Sequence, residues 1–148
     1  MAYEFKARRM VEFVDTDMAR IMHYANFFRF METAEHGFYR SLGFSVAHGK
    51  VDPTLGWPRV HASCDYRRPL RFEDVVEIHL LVTEKRDKSL SYQFRFRKLD
   101  GEKGQEVARG ALTIVCVAHA EDGSMKAVSI PPEISKLIEV APPETLNT

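Results

Sequence analysis

From Tyr24 to Leu42 apolar residues recur at Phe27, Met31, Ala34, Phe38 and Leu42, in steps of three and four that put them on one face of a helix of about five turns. Arg29, Thr33, His36 and Arg40 fall on the opposite face. Beyond Pro58 the period changes to two. Val60, Ala62, Cys64 and Tyr66 alternate with His61, Ser63, Asp65 and Arg67, and Val76, Ile78, Leu80 and Val82 alternate with Glu77, His79, Leu81 and Thr83. Leu90, Tyr92, Phe94 and Phe96 against Ser91, Gln93, Arg95 and Arg97 form the clearest amphipathic strand, followed by a hairpin signal at Asp100-Gly101. A further run from Val107 to Ala118 is nearly all apolar on its Leu112, Ile114 and Cys116 face. With Phe5 to Val14 as a first strand, the order is strand, long helix, then four strands. One apolar stripe has to be covered by one apolar sheet face, so the pattern predicts an α+β fold with an antiparallel sheet wrapped around the helix.

Local chemistry marks the helix ends. Asn26 is expected as N-cap, and Gly43 stands where a helix leaves through a left-handed residue. Gly37, inside the helix, costs about 1 kcal/mol against Ala and marks close approach of another backbone. Gly43 to Pro58 reads as a loop, with Gly49, Pro53 and Gly56 inside it. Residues 1–141 are expected to form one domain, with a short terminal piece from Ile130-Pro131-Pro132, and Pro142 to Thr148 is expected to be a disordered, frayed tail.

At 148 residues one core suffices, since a chain of this length buries roughly two-thirds of the surface its unfolded form exposes. Lys+Arg and Asp+Glu each number 21, so no global field draws in nucleic acid or an anionic membrane, and an anionic ligand has to be met by a local basic patch. Cys64 and Cys116 lack Cys-x-x-Cys spacing and are read as free thiols. Glu4, Lys6, Arg8 and Arg9 near the N-terminus have no apolar stretch behind them, and the longest apolar run, near 114–118, is far short of a membrane span. The expectation is a cytoplasmic protein with neither nucleic-acid nor membrane partner.

The chemistry-bearing stretch links the first strand to the helix: Val14-Asp15-Thr16-Asp17-Met18-Ala19-Arg20-Ile21-Met22-His23-Tyr24-Ala25-Asn26-Phe27. Taken alone, Asp15 and Asp17 are turn formers, because Asp side chains cap local backbone groups. A metal site from Asp15, Asp17 and His23 lacks supporting spacing, and His36, His48, His61, His79 and His119 show no ligand spacing either, so no metal is expected. Phe27, Phe28, Phe30, Phe38 and Tyr39 read as packing.

The stretch resembles the 4-hydroxybenzoyl-CoA thioesterase-like branch of the hotdog superfamily: Asp-x-Asp, a short turn, an aromatic or His pair, and Asn before an aromatic-rich helix. Phe30-Met31-Glu32, Asp65-Tyr66 with Pro69, and Arg86-x-Lys88-Ser89 extend the resemblance from about Val11 to Pro132. It implies a curved antiparallel sheet around one helix, and two such units pairing edge to edge in a homodimer, assembling further to a tetramer, with sites at the interface. It also implies hydrolysis of an acyl-CoA thioester to free acid and thiol. Asp17 would be the catalytic carboxylate, as base or nucleophile, and backbone N–H groups near Tyr24 would polarise the carbonyl. Coenzyme A would be part of the substrate, and no separate cofactor is implied.

His23 is either a catalytic or orienting group or a hydrogen-bonding loop residue; some relatives carry the His one position later. Arg20 stands where the family usually has Gly, and either narrows the pocket or meets a negatively charged acyl group. Arg86, Lys88 and Ser89 match the part that contacts the coenzyme A nucleotide, or form a solvated turn; Asp65, Arg67, Arg68 and Arg71 share that ambiguity. Glu32 matches a second carboxylate of some hotdog relatives, but an ion-pair or helix-dipole role is the preferred reading. The alternative function is a hotdog module that binds or hydrates acyl thioesters without hydrolysis.

Overall fold

The computed structural model describes residues 1–46, 54–101 and 103–148. Strand β1 (Glu4–Met10) is followed by a 3-10 turn (Phe13–Asp15) and helix α1 (Asn26–Ser41). After the short β2 (Leu55–Gly56) come β3 (Arg59–Tyr66), β4 (Val75–Lys85), β5 (Ser89–Asp100) and β6 (Lys103–Val115). The chain ends with β7 (Val117–His119), β8 (Met125–Ala127), α2 (Pro132–Ser135) and α3 (Pro143–Leu146). The main sheet has the order β1-β4-β5-β6-β3, antiparallel throughout, and β2-β7-β8 form a smaller sheet.

The periodicities are those that burial requires. On α1, Phe27, Phe30, Met31, Ala34 and Phe38 are buried in one core with Ile78, Leu80, Phe94, Phe96 and Leu112 of the sheet. That is the helix-in-sheet arrangement the pattern predicts. Asp100 pairs with Lys103 across the β5–β6 hairpin, and Gly101 takes φ 66°, which a side chain would resist.

Several local expectations are corrected. The first strand stops at Met10, and Phe13 and Val14 turn outward with 78% and 79% exposure. Asn26 is the first helical residue and does not cap: Ala25 occupies the N-cap position without a side-chain bond. Gly43 does leave the helix in the left-handed region, at φ 95°. What crowds Gly37 is a ring, since a Cβ there would lie 2.7 Å from Cε2 of Phe5. Leu81, expected to face outward, is fully buried. The run from Val107 breaks at Cys116, whose N–H donates to the Lys88 carbonyl (2.8 Å). Residues 142–148, expected to fray, hold α3, and Arg95 explains why: its Nη2 donates to the carbonyls of Thr145 and Leu146, each at 3.0 Å. Of the expected loop 43–58, residues 47–53, His48 among them, lie outside the described residues. Cys64 and Cys116 are not joined in a disulfide.

Candidate active site

The loop from β1 to α1 is closed around Asp15. This buried residue accepts the Glu12 N–H on its own Oδ2 (2.9 Å), and its carbonyl accepts the His23 N–H (2.9 Å) and Asn26 Nδ2 (2.8 Å). Asp15 is therefore structural, as its residue type alone suggests. Further out, Thr16 bridges to Met22, the Asp17 N–H donates to the Ile21 carbonyl (3.0 Å), and the Arg20 N–H donates to the Asp17 carbonyl (2.9 Å). Residues 17–20 thus form a tight turn, with Arg20 at φ 64°. A non-glycine residue there costs about 1 kcal/mol, which gives a physical reason for Gly at this place in the resembling family.

Asp17 has two different oxygens. Oδ1 accepts the Ala19 N–H (2.8 Å) and belongs to the turn. Oδ2 lies 3.6 Å from Nδ1 of His23, outside direct hydrogen-bond reach, and the side chain keeps 33% of its exposure. One oxygen fixes the orientation and the other is left for a ligand or water.

The start of α1 carries no acidic first-turn residue and no capping side chain. The N–H groups of Tyr24 and Ala25 donate to no acceptor among the described residues. The His23–Tyr24 peptide is held because the His23 carbonyl accepts the Asn26 N–H (2.9 Å). In a trans peptide the N–H points opposite to the carbonyl, so the Tyr24 N–H is directed out from the helix end, at its positive pole. The Tyr24 carbonyl accepts Tyr66 Oη (3.1 Å), and burial pushes the Tyr66 phenol up to about 12, so it remains a donor at neutral pH.

A cleft of about 460 Å³ brings Asp17, Tyr24, Ile21, Met22, Phe27 and Tyr66 together with Arg67, Arg68 and Pro69. A second hollow, about 630 Å³, meets it at Asp17 and is lined by Phe13, Thr16, Met18, Arg20 and Phe72. His23 touches the site through Asp17 and through its ring, 4.7 Å from that of Tyr24.

The other expected set lies elsewhere. Met22 N–H to the Leu70 carbonyl (2.6 Å) and Val11 N–H to the Asp74 carbonyl (2.8 Å) pin the Asp17 loop to the start of β4, whereas Arg86, Lys88 and Ser89 form the turn after its end. Eleven residues of strand at about 3.3 Å each span roughly 35 Å. Arg86 is paired with Glu84, and its N–H donates to the Ser89 carbonyl (2.9 Å). One chain does not bring this turn to Asp17. Glu32 is exposed on the outer face of α1. Glu35, which the sequence reading passed over, is wholly buried between Arg59 and Tyr39. Among the described residues no group of three His, Cys, Asp or Glu side chains could hold a metal, and no helix is long and apolar enough to cross a membrane.

One helix wrapped by an antiparallel sheet, with a cleft at the helix start, is the architecture of the hotdog thioester hydrolases. Comparison with known proteins gives the family. The chain belongs to the thioesterase-like superfamily, whose pattern matches residues 11–138, and it is a thioester hydrolase. A protein of Aquifex aeolicus (strain VF5) named "Putative esterase" is 35% identical over 136 residues, 91% of this chain and 98% of that one. The structure of a gentisyl-coenzyme A thioesterase superposes with a TM-score of 0.75 at 31% identity, over 87% of this chain and 98% of that one. The 4-hydroxybenzoyl-CoA thioesterase of Pseudomonas sp. strain CBS-3 shares the fold with a TM-score of 0.80 at 22% identity, over 92% and 99%.

Proposed function

We propose that the chain hydrolyses an acyl-CoA thioester to free acid and coenzyme A, with Asp17 as general base or nucleophile and the Tyr24 N–H as oxyanion donor. The observation that carries this reading is that Asp17 and Tyr24, whose N–H donates to no acceptor among the described residues, line the same cleft. A thioester needs little more. Its carbonyl is electrophilic, and the thiol, with a pKa near 8.5, departs as thiolate without an acid. With Asp17 as base, a water proton passes to the carboxylate as the water oxygen bonds to the carbonyl carbon. The oxyanion that forms is met by the helix-start amide; then the C–S bond breaks and the proton returns to the thiolate. With Asp17 as nucleophile, an anhydride forms first and water opens it. His23 supports either route by facing the free oxygen.

The reading includes a homodimer. β3 is an edge strand that leaves Val60 at 63% and Tyr66 at 44% exposure, and Tyr66 belongs to the cleft. Pairing of two β3 edges would complete the sheet and the site, and further assembly to a tetramer is the expected route by which Arg86, Lys88 and Ser89 of another subunit reach the nucleotide. Coenzyme A enters as substrate, no other cofactor is invoked, and two cysteines without a disulfide suit the cytoplasm.

Asp17→Asn tests the core of the reading. Asn retains an oxygen for the Ala19 N–H, so the turn persists while base and nucleophile are lost. Thiol release from acyl-CoA esters is expected to fall by at least a hundredfold with an unchanged unfolding midpoint; a rate within a fewfold of wild type removes Asp17 from the mechanism. In a single turnover in ¹⁸O-water, an unlabelled acid would show the nucleophilic route with water opening the anhydride at the Asp17 carbonyl, whereas a labelled acid fits the base route or an anhydride opened at the acyl carbon.

A further inference from the structure

Resting on the hydrolase reading above, we infer that Arg68 is the anion-binding residue of the cleft and selects substrates by a negative charge that they carry. Three side chains of the lining are ionic: Asp17, Arg67 and Arg68. The Arg67 guanidinium lies 3.4 Å from Glu106, so its charge is met. The Arg68 side chain has neither ion pair nor hydrogen bond among the described residues, and it lines a cleft otherwise floored by Ile21, Met22, Phe27, Tyr66 and Pro69. An unmatched guanidinium beside an apolar floor favours a ligand with an anionic group, which its fork holds through paired bonds.

The backbone that carries it is held in place. The N–H groups of Arg67 and Arg68 both donate to the Val107 carbonyl, at 2.8 and 3.0 Å, Pro69 restricts the next step, and fully buried Leu70 gives its carbonyl to Met22. The segment is thereby tied to β6 on one side and to the Asp17 loop on the other, so the backbone that carries the exposed Arg68 side chain keeps its position relative to Asp17. The far turn at Arg86 and Lys88 has no such connection within one chain. The anion is either a carboxylate on the acyl group or a phosphate of coenzyme A.

Full-length wild type and Arg68→Gln would be compared on matched esters: glutaryl against valeryl, and 4-carboxybenzoyl against 4-methylbenzoyl, each as the coenzyme A ester and as the phosphate-free N-acetylcysteamine ester. The expected result is a loss of about tenfold or more in kcat/KM, carried by KM, with Arg68→Lys recovering part of it. Loss confined to the carboxylated esters of both thiols identifies the acyl carboxylate. Loss on all coenzyme A esters and on no neutral N-acetylcysteamine ester identifies the phosphate. Unchanged constants throughout, or an equal loss that extends to the neutral N-acetylcysteamine esters, overturns the inference. If wild type cleaves no ester in the panel, the hydrolase reading fails instead, and the same comparison is made on calorimetric dissociation constants with the same two criteria.

Discussion

Nδ2 of Asn26 donates to the carbonyl of Asp15 at 2.8 Å and closes a loop of eleven residues onto the first turn of α1. This single bond ties the Asp17 turn to the helix whose start supplies the free amide. Asn26→Ala removes the donor while His23 N–H still satisfies the carbonyl, so the expected cost in stability is only about 1 kcal/mol. The loss in kcat should be larger, about tenfold, because the carboxylate and the amide are no longer held in register. Asn26→Asp, which sets an acceptor against an acceptor, should be worse than Ala on both counts. Denaturant unfolding and steady-state thiol release check the pair of effects.

Glu35 has no exposed side-chain surface and is paired with Arg59, which retains 28% exposure. Removing Arg59 would strand a carboxylate in the core. Arg59→Ala is therefore expected to cost about 3 kcal/mol, at the low end for a broken buried pair because the guanidinium is partly solvated. Glu35→Gln keeps an acceptor for Arg59 and turns an N–H towards Tyr39 Oη, which can accept it while donating to Tyr92, so it should cost clearly less. Equal losses in the two variants, measured by urea unfolding at neutral pH, would contradict this account.

The same residue makes a prediction about pH. Burial raises the Glu35 carboxyl above its ordinary value of 4.5, and Arg59 offsets this only in part. A raised folded-state pKa means that the protonated form is favoured in the fold. Its contribution is complete below the unfolded value and is lost as pH rises through the folded one. Glu35→Gln lacks this titration. The difference in Tm between the variant and wild type should therefore shift in favour of the variant as pH is raised from below 4.5 towards neutrality. A difference that stays constant over that range would exclude Glu35 as a titrating core group.

What the chain alone disclosed was what local period and local chemistry determine. The stripe from Phe27 to Phe38 and the alternation from Leu90 to Phe96 had to be buried, and both are. Asp17 was legible because it lies in a compact motif beside the helix start. Glu35 was not, because it reads as one more solvated helix charge until Arg59, twenty-four residues on, is placed beside it. Its signal was position: it sits four residues after Met31 and four before Tyr39, on the apolar side. The exposure of both faces of β3 was also illegible, since alternation along a strand does not say whether the strand is central or at an edge. Arg68 and Arg86 looked alike in sequence; only the length of β4 separates them.

The contact between Gly37 and Phe5 allows a test of packing in which two substitutions should cancel. A Cβ on Gly37 would lie 2.7 Å from Cε2 and 2.9 Å from Cζ of Phe5, but 3.6 Å from Cδ2. Ala at 37 gains up to about 1 kcal/mol of helix propensity. Against the full ring it also meets an overpacking cost of about 1–3 kcal/mol, so Gly37→Ala alone should be destabilising. Leucine at position 5 has no atoms in the place of Cε2 and Cζ, and its methyl carbons end where ordinary contact begins. In the Phe5→Leu background, Gly37→Ala should then be neutral or stabilising. The double-mutant cycle, read by urea unfolding, is expected to show a coupling of at least about 1 kcal/mol. Additive effects would mean that the ring moves aside freely, and the glycine would then have another cause.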